Sequence, residues 1–332
     1  LSIENTNNTN NNLFKKNILS ISHLDMDGYG CQIVLRKFYG EFQKMNTTYG
    51  NIKKYIGILD EILTRTFYDI VYITDLSFSK EELKELYIVA NKYKDTMFYY
   101  IDHHIVDIDY KRLITNNFKL IITNKASATK LVYKYLSKKY NIKDKELETF
   151  IDYINAYDIW LKDKEPNNFK IGFFLNEIFW NKGKNYFWSS YKDNFKIKNS
   201  DKDYYKSIIE QKNKLFQKLE KSKRIMKFDD RIFLIYLDKH QSFITIDYPN
   251  YLVYIIIKSN GRGSIRFNEK LENYNFMNTL KNKLLDLEYI GEAGGHELAM
   301  GCHIKKPTPK LLVDLGKFLV KEIDILLENK GL

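Results

Sequence analysis

Ser22-His23-Leu24-Asp25-Met26-Asp27-Gly28-Tyr29-Gly30 follows the apolar run Ile18 to Ile21 and precedes an amphipathic run from Cys31 to Phe38. That is the layout of a strand, a tight loop and the start of a helix. The loop carries one imidazole and two carboxylates at alternating positions, and alternate residues of an extended segment point the same way. His23, Asp25 and Asp27 are therefore expected to converge on one small volume, where they repel each other unless a cation sits between them. Gly28 and Gly30 permit positive φ and leave room beside the site. Read this way, the stretch is half of a metal site. The alternative is an Asx-turn that caps the next helix.

The same layout recurs along the chain. Asn17 to Ser22 is the first expected strand, with a helix at Tyr29 to Phe42, a short strand at Lys44 to Tyr49 and helical spacing from Ile52 to Leu63. Asp69 to Thr74 and Thr96 to Ile101 are β-rich runs, and Leu120 to Thr123 is a shorter one. Helices are expected after Ser79, with Glu81 and Glu82 in the first turn, after the N-cap Ser127, and over Glu146 to Ile159. Strands alternating with helices imply right-handed crossovers and a mainly parallel sheet. Ligands of open α/β sheets bind outside the carboxyl ends of the strands. The polar clusters at His23–Asp27, Asp75 and Asp102–His104 each follow a strand, so they are expected to share one crevice.

Asp201 to Lys227 is lysine-rich, free of Gly and Pro, and helical in pattern. Strands are expected at Arg231 to Leu237, Phe243 to Ile246, Leu252 to Lys258 and Ser264 to Asn268. A helix near Phe276 to Leu287 and a final amphipathic helix from Pro309 to Leu327 follow. The expected fold class is α/β. An N-terminal doubly wound, mainly parallel sheet is joined by a helical linker to a smaller α+β C-terminal domain. The boundaries read as a disordered tail at 1–12, a first domain at 13–198, the linker at 199–227 and a second domain at 228–332.

The 332 residues suffice for about two domains, and 44% of them are apolar. No run approaches the about 20 apolar residues of a membrane span. The Asn/Thr-rich start does not read as a secretory signal. Cys31 and Cys302 stand in unrelated contexts and give neither a disulfide framework nor a CxxC zinc pattern, which fits a cytoplasmic setting. The net charge of +11 is spread along the chain and favours polyanionic partners such as nucleotides or short nucleic acids.

Four carboxylates and two imidazoles, from His23, Asp25, Asp27, Asp75, His103 and Asp158, suit two hard or borderline divalent cations, Mn²⁺ or Mg²⁺ before thiolate-loving metals. Asp75, at a central strand end, is placed to bridge them. Asp158 sits at a helix end, where it is equally read as an exposed carboxylate beside Trp160. His103 and His104 are neighbours whose side chains diverge in an extended loop, so that one coordinates metal while the other faces substrate. Asp102 fixes a ring by hydrogen bonding. In the second domain, glycines in Asn260-Gly261-Arg262-Gly263-Ser264-Ile265-Arg266 let backbone N–H groups approach a phosphate, and the arginines add forked donors. Gly294-Gly295, opening a helix over His296 to Met300, would aim N–H groups at an anion. His240 and His303 read as ordinary residues.

Together these residues resemble the DHH phosphoesterase superfamily with its DHHA1 C-terminal domain. Asp102-His103-His104 is the name-giving motif. His23-Leu24-Asp25-Met26-Asp27-Gly28 resembles the first motif, Asp75 the second and Asp158 the fourth. Ala293-Gly294-Gly295-His296 with Ala299 and Gly301 resembles the GGGHxxAxG signature, with Ala293 in place of its first glycine. The resemblance implies that His23, Asp25 and Asp75 hold one Mn²⁺ and that Asp27, Asp75, His103 and Asp158 hold the other, with Mg²⁺ or Co²⁺ as substitutes. It implies that His104, steadied by Asp102, contacts the scissile phosphate. Arg262, Ser264, Arg266, Gly294, Gly295 and His296 would bind the substrate's phosphate or base end.

The implied activity is a Mn²⁺-dependent phosphodiesterase or exonuclease of the oligoribonuclease (nano-RNase) type. It would release 5′-mononucleotides from short single-stranded RNA or DNA through a hydroxide generated at two metals. The same chemistry on cyclic di-AMP, pApA or 3′-phosphoadenosine 5′-phosphate is the alternative. A non-catalytic nucleotide sensor is the rival of another class, and the complete ligand set argues against it. The family also implies a homodimer through the first domain.

Overall fold

The computed structural model describes residues 16–48, 51–104, 113–222, 224–229, 231–237, 251–268, 271, 276–296 and 299–328. The tail at 1–12, His240 and the strand expected at Phe243 to Ile246 lie outside the described residues. Two compact units divide the chain, Leu1–Tyr205 and Lys206–Leu332.

The first unit is built on strands β1 (Ile18–His23), β2 (Gln43–Thr47), β3 (Ile70–Thr74), β4 (Met97–Asp102) and β5 (Phe118–Ile122). They form one wholly parallel sheet in the order β2-β1-β3-β4-β5. The chain runs outward from β1 to β2, then returns past β1 to β3, so the strand order reverses between β1 and β3. Both faces are covered, which is why the strands read as near-continuous apolar runs. Ile18, Ile70, Tyr72, Tyr99 and Ile101 face one core, and Leu19, Ile21, Val71, Ile73, Phe98 and Tyr100 the other.

Helices α1 (Met26–Tyr39), α4 (Ala128–Tyr140), α5 (Lys145–Asp158), α6 (Pro166–Lys182) and α7 (Lys184–Tyr191) supply the first core. Helices α2 (Ile52–Arg65) and α3 (Lys80–Lys92) supply the second. Local signals set these helices. Ser79 and Glu82 form a reciprocal capping box on α3, Ser127 accepts from Lys130 N at the start of α4, and Asn141 ends α4 in the left-handed region. Helices α6 and α7 carry no clear amphipathic period. Pro166 sits in the first turn of α6, and burial of Asn176 and Glu177 as well as Phe174, Leu175, Ile178 and Phe179 extends around much of its circumference.

The second unit begins within α8 (Asn199–Lys221) and continues through β6 (Ile225–Phe228), β7 (Ile232–Leu237), β8 (Val253–Lys258), β9 (Arg262–Phe267), α9 (Phe276–Leu285), β10 (Ile290–His296), β11 (Ala299–Ile304) and α10 (Pro309–Glu328). Its sheet runs β10-β11-β9-β8-β7-β6 and is antiparallel except between β7 and β8. Helix α8 stops at Lys221, and β6 occupies residues that the lysine-rich pattern assigned to the linker helix. Ile225 to Phe228 pair with Ile232 to Ile235 instead. The helix expected over His296 to Met300 is also corrected. Backbone pairing of His296 with Ala299, Gly294 with Gly301 and Ala293 with Cys302 makes this segment an antiparallel hairpin.

Candidate metal centre

Parallel register brings three strand ends into one row. Ser22 pairs with Thr74, and Thr74 with Ile101, so His23, Asp75 and Asp102 emerge side by side at the switch between β1 and β3. The row is stapled below the site. Ser22 Oγ contacts Gly28 O at 2.9 Å and Thr74 O at 3.1 Å, and Thr74 Oγ1 donates to Ser22 Oγ at 2.8 Å.

Asp25 unites the two readings of the opening stretch. Its Oδ1 caps α1 by accepting from Gly28 N at 3.0 Å, while Oδ2 lies 2.7 Å from His23 Nδ1. The glycines serve close approach rather than a left-handed backbone, because neither is among the positive-φ glycines. A Cβ on Gly28 would stand 2.3 Å from His23 O, and one on Gly30 would stand 2.3 Å from Thr129 Oγ1. Asp75 does adopt a left-handed backbone, with φ of 55°. A non-glycine residue in that region is strained, and such strain concentrates at functional sites.

His23, Asp25 and Asp27 do not converge on one point, because Asp27 already lies in the first turn of α1. Its carboxylate turns to the N-terminus of α4, accepting from Ala128 N at 2.8 Å and Thr129 N at 3.1 Å. The donors divide accordingly. One group is His23, Asp25 and Asp75; a second is Asp27, His103 and Asp158. A third joins Asp75 to Asp102, His103 and His104. Within each group the ligand atoms all lie within 4.8 Å of one another. Asp75 links the groups with opposite oxygens: Oδ2 is 3.8 Å from His23 Nδ1, and Oδ1 is 3.5 Å from His103 Nε2. Asp158, the last residue of α5, brings Oδ2 to 3.3 Å from His103 Nε2.

The two histidine rings do not diverge. Their centroids are 4.3 Å apart. Asp102 Oδ1 lies 2.7 Å from His104 Nδ1 and accepts from His103 N at 2.9 Å, which sets the direction of the His104 ring. Tyr100 was not visible as a site residue in the sequence. Its buried hydroxyl lies 2.6 Å from Leu76 O and 3.2 Å from Asp102 Oδ2, and it accepts from Phe78 N at 3.3 Å. It thus ties the turn after Asp75 to the carboxylate that orients His104. Its place two residues before Asp102, on the strand face that leads into the site, is the signal that could have found it.

The electrostatics are those of a cluster short of positive charge. Burial, then the charges of Asp25, Asp27 and Asp158, push the Asp75 carboxyl well above the usual carboxylate range. Burial and the charges of Asp27, Asp25 and Asp102 do the same to Asp158. Asp27 is also raised, chiefly by burial. Burial opposes ionisation of Asp25 too, but the His23 imidazole outweighs it and holds this carboxyl well below the usual range. Burial lowers His103, favouring the neutral ring that ligates metals. Asp75 Oδ2 and Asp158 Oδ2 are buried oxygens that accept no hydrogen bond among the described residues. Unsatisfied buried carboxylate oxygens beside like charges fit metal ions, and an all-oxygen and imidazole donor set fits hard or borderline divalent ones.

The remaining expected site residues stand in the second unit. Arg262, Ser264 and Arg266 alternate along β9, so they share one face of the sheet, while Ile265 and Phe267 point into the core. Pairing aligns Arg266 with Ala299 and Ser264 with Gly301. Those positions pair in turn with His296 and Gly294 on β10. Gly295 pairs with Met300.

No family model matches the chain. A 3′,5′-cyclic-nucleotide phosphodiesterase from Helicobacter pylori is 26% identical over an alignment of 168 residues that covers 47% of this chain and 46% of that relative. The match therefore spans under half of the relative's length. Among solved structures, a pGpG-specific phosphodiesterase, PggH from Vibrio cholerae, superposes with a TM-score of 0.53 at 14% identity, covering 93% of this chain and 99% of that one. An uncharacterized protein from Helicobacter pylori G27 gives 0.45 at 19% identity, covering 93% and 99%. The likeness to PggH shows a shared two-domain α/β fold.

Proposed function

We propose that this chain is a phosphodiesterase of the DHH/DHHA1 type that hydrolyses short oligonucleotides to 5′-mononucleotides with two divalent cations, Mn²⁺ foremost. The observation that carries the reading is Asp75. This strained, buried carboxylate has one oxygen turned to the His23 and Asp25 donors and the other to the His103 donor. His23, Asp25 and Asp75 would hold one ion, and Asp27, Asp75, His103 and Asp158 the other. When bound, such a pair draws charge from a phosphoryl oxygen and lowers the pKa of water, so that hydrolysis proceeds at neutral pH.

The chain's own residues do the rest. Asp102 takes the Nδ1–H of His104 and so sets the ring; the imidazolium form of that ring carries a second proton on Nε2, which would donate to a phosphoryl oxygen as charge develops there. Asp27 is kept in place by two N–H groups of α4 and therefore presents a fixed carboxylate. Arg262, Ser264 and Arg266 form a row of donors suited to phosphates along a strand. Residues 13–198 would be the catalytic domain and 228–332 the substrate-binding domain.

A second reading is supported by the relative from Helicobacter pylori: the same chemistry on a 3′,5′-cyclic nucleotide. No helix among the described residues is long and apolar enough to cross a membrane. The test is a substrate panel in MnCl₂: a labelled RNA trimer, pGpG and 3′,5′-cyclic AMP. Release of 5′-mononucleotides from the trimer is expected. Turnover of the cyclic nucleotide alone selects the second reading, and turnover of none overturns both.

A further inference from the structure

A cavity of about 700 Å³ lies in the first unit, between α5, α6, the segment that leads into α8 and the first turns of α8, and none of the metal-centre residues lines it. That volume is in the range of small-molecule sites, about 300–1,000 Å³. Its floor is aromatic: Phe150, Phe174 and Phe195 are each buried. The rings are already set in place. Phe174 meets Tyr205 edge to face at 5.0 Å between centroids, and Phe150 lies 6.0 Å from Phe195. Tyr153 and Tyr205 add walls whose polar ends can stay wet.

The rim carries the opposite character. Lys145, Lys170, Lys196 and Lys202 surround the apolar floor with one acid, Glu146. Lys196 is paired with Glu146 at 3.2 Å. Lys145, Lys170 and Lys202 make no ion pair among the described residues, although the same unit pairs many of its other lysines, such as Lys37, Lys92 and Lys130, with carboxylates. Three unpaired ammonium groups over five aromatic rings define the ligand's chemistry. It must have a negative head for the rim and a flat apolar body for the floor. Water against the floor is poorly satisfied, so its displacement by such a body is favourable.

We propose that this cavity is a binding site, separate from the metal centre, for an organic anion bearing an aromatic ring. Ring faces and edges presented by three chain segments select an aromatic body over an aliphatic one of equal size. The cations select against a neutral body.

Calorimetric titration of the full-length Asp75→Asn protein in EDTA, where the metal centre cannot take the anion, tests this directly. The probe is 1-naphthalenesulfonate, with octanesulfonate and neutral 1-naphthalenemethanol as comparison ligands. The expected result is saturable binding of one naphthalenesulfonate, with both comparison ligands weaker by about tenfold or more. The added double change Lys170→Glu/Lys202→Glu weakens binding by about tenfold or more, and the added change Thr149→Trp, which fills the mouth, abolishes it. Thermal melts equal to the parent's qualify each variant; the two variants perturb different segments, so either alone suffices. Absence of saturable binding, equal binding of octanesulfonate or the neutral ligand, or indifference to a folded variant's change overturns the proposal.

Discussion

Asp75 and Asp201 are equally buried, at 1% and 0% exposure, and they lie in the same unit. Their surroundings are opposite. Asp201 receives Lys182 Nζ at 2.6 Å, Tyr186 OH at 2.5 Å and Tyr191 OH at 2.6 Å. Burial opposes its charge, but these donors outweigh burial and hold its carboxyl below the usual range. Asp75 has burial and three neighbouring carboxylates acting in one direction, and one of its oxygens accepts no hydrogen bond among the described residues. A carboxylate with its full complement of donors builds structure. One with a deficit, held in a strained conformation among others like it, is suited to a cation that the chain itself does not provide.

Replacement separates the two most sharply. Asp75→Asn should lower turnover of the RNA trimer by about 10³-fold or more, because one change removes the negative charge that both sides share and turns one of the two ligand oxygens into an amide nitrogen. In EDTA the same variant should melt higher than the parent, since a like charge leaves a crowded cluster. Asp201→Asn should do the reverse. Activity per folded molecule stays near that of the parent, but stability falls by about 3 kcal/mol, as for breaking a buried ion pair. Paired melting curves and steady-state rates for the two variants check both statements.

Protonation extends the contrast. Asp27, Asp75 and Asp158 are raised in the folded protein, so without metal the folded state binds protons that the unfolded chain has released. Metal-free stability should therefore fall as pH rises through the ordinary carboxylate range, about 4, toward the raised values. The lowered Asp201 contributes in the other direction: its stabilisation is present above the ordinary value and is lost only as pH falls through its own. Melts in EDTA between pH 5 and pH 8 should show a decline that MnCl₂ removes and that Asp75→Asn/Asp158→Asn flattens. A metal-free melting temperature that rises steadily across this window would contradict the assigned cluster.

The metal side of this contrast was legible in the sequence to an uneven degree. His23, Asp25, Asp75 and the Asp102–His104 run each follow an apolar strand, and parallel register then aligns them, so strand pattern alone brings them together. Asp158 had no such signal. It ends a helix, and nothing in its neighbours separates a ligand from a solvated acid; the resemblance alone singled it out. The alternation argument failed at Asp27 because the helix begins one residue earlier, at Met26, and turns that carboxylate toward α4. Helices α6 and α7 left little periodic trace because aromatic residues surround much of their circumference. Gly294-Gly295 read as a helix opening, but Ala299 to His303 pair with β9 on the other side and draw the segment into the sheet. Asp201 was hidden at the start of a lysine-rich run whose pattern showed a helix and no buried partner for a carboxylate.

The smallest effect concerns the tie between the two motifs. Tyr100→Phe removes one hydroxyl and keeps the ring that meets Phe78 edge to face at 5.2 Å. It should lower kcat by about threefold to tenfold with KM and Mn²⁺ stoichiometry unchanged, because the His104 ring is less firmly held while the metal donors remain. Nitrogen NMR of His104 should show its Nδ1-protonated form less populated than in the parent. An unchanged spectrum with an unchanged kcat would make Tyr100 a packing residue only.

In the proposed centre two cations share Asp75. Crystals grown in MnCl₂ and measured at a wavelength where manganese scatters anomalously test it most directly. Two peaks are expected about 3.5–4 Å apart on either side of the Asp75 carboxylate, one beside His23 and Asp25 and the other beside His103 and Asp158. A single peak, or peaks that leave Asp75 untouched, would contradict it.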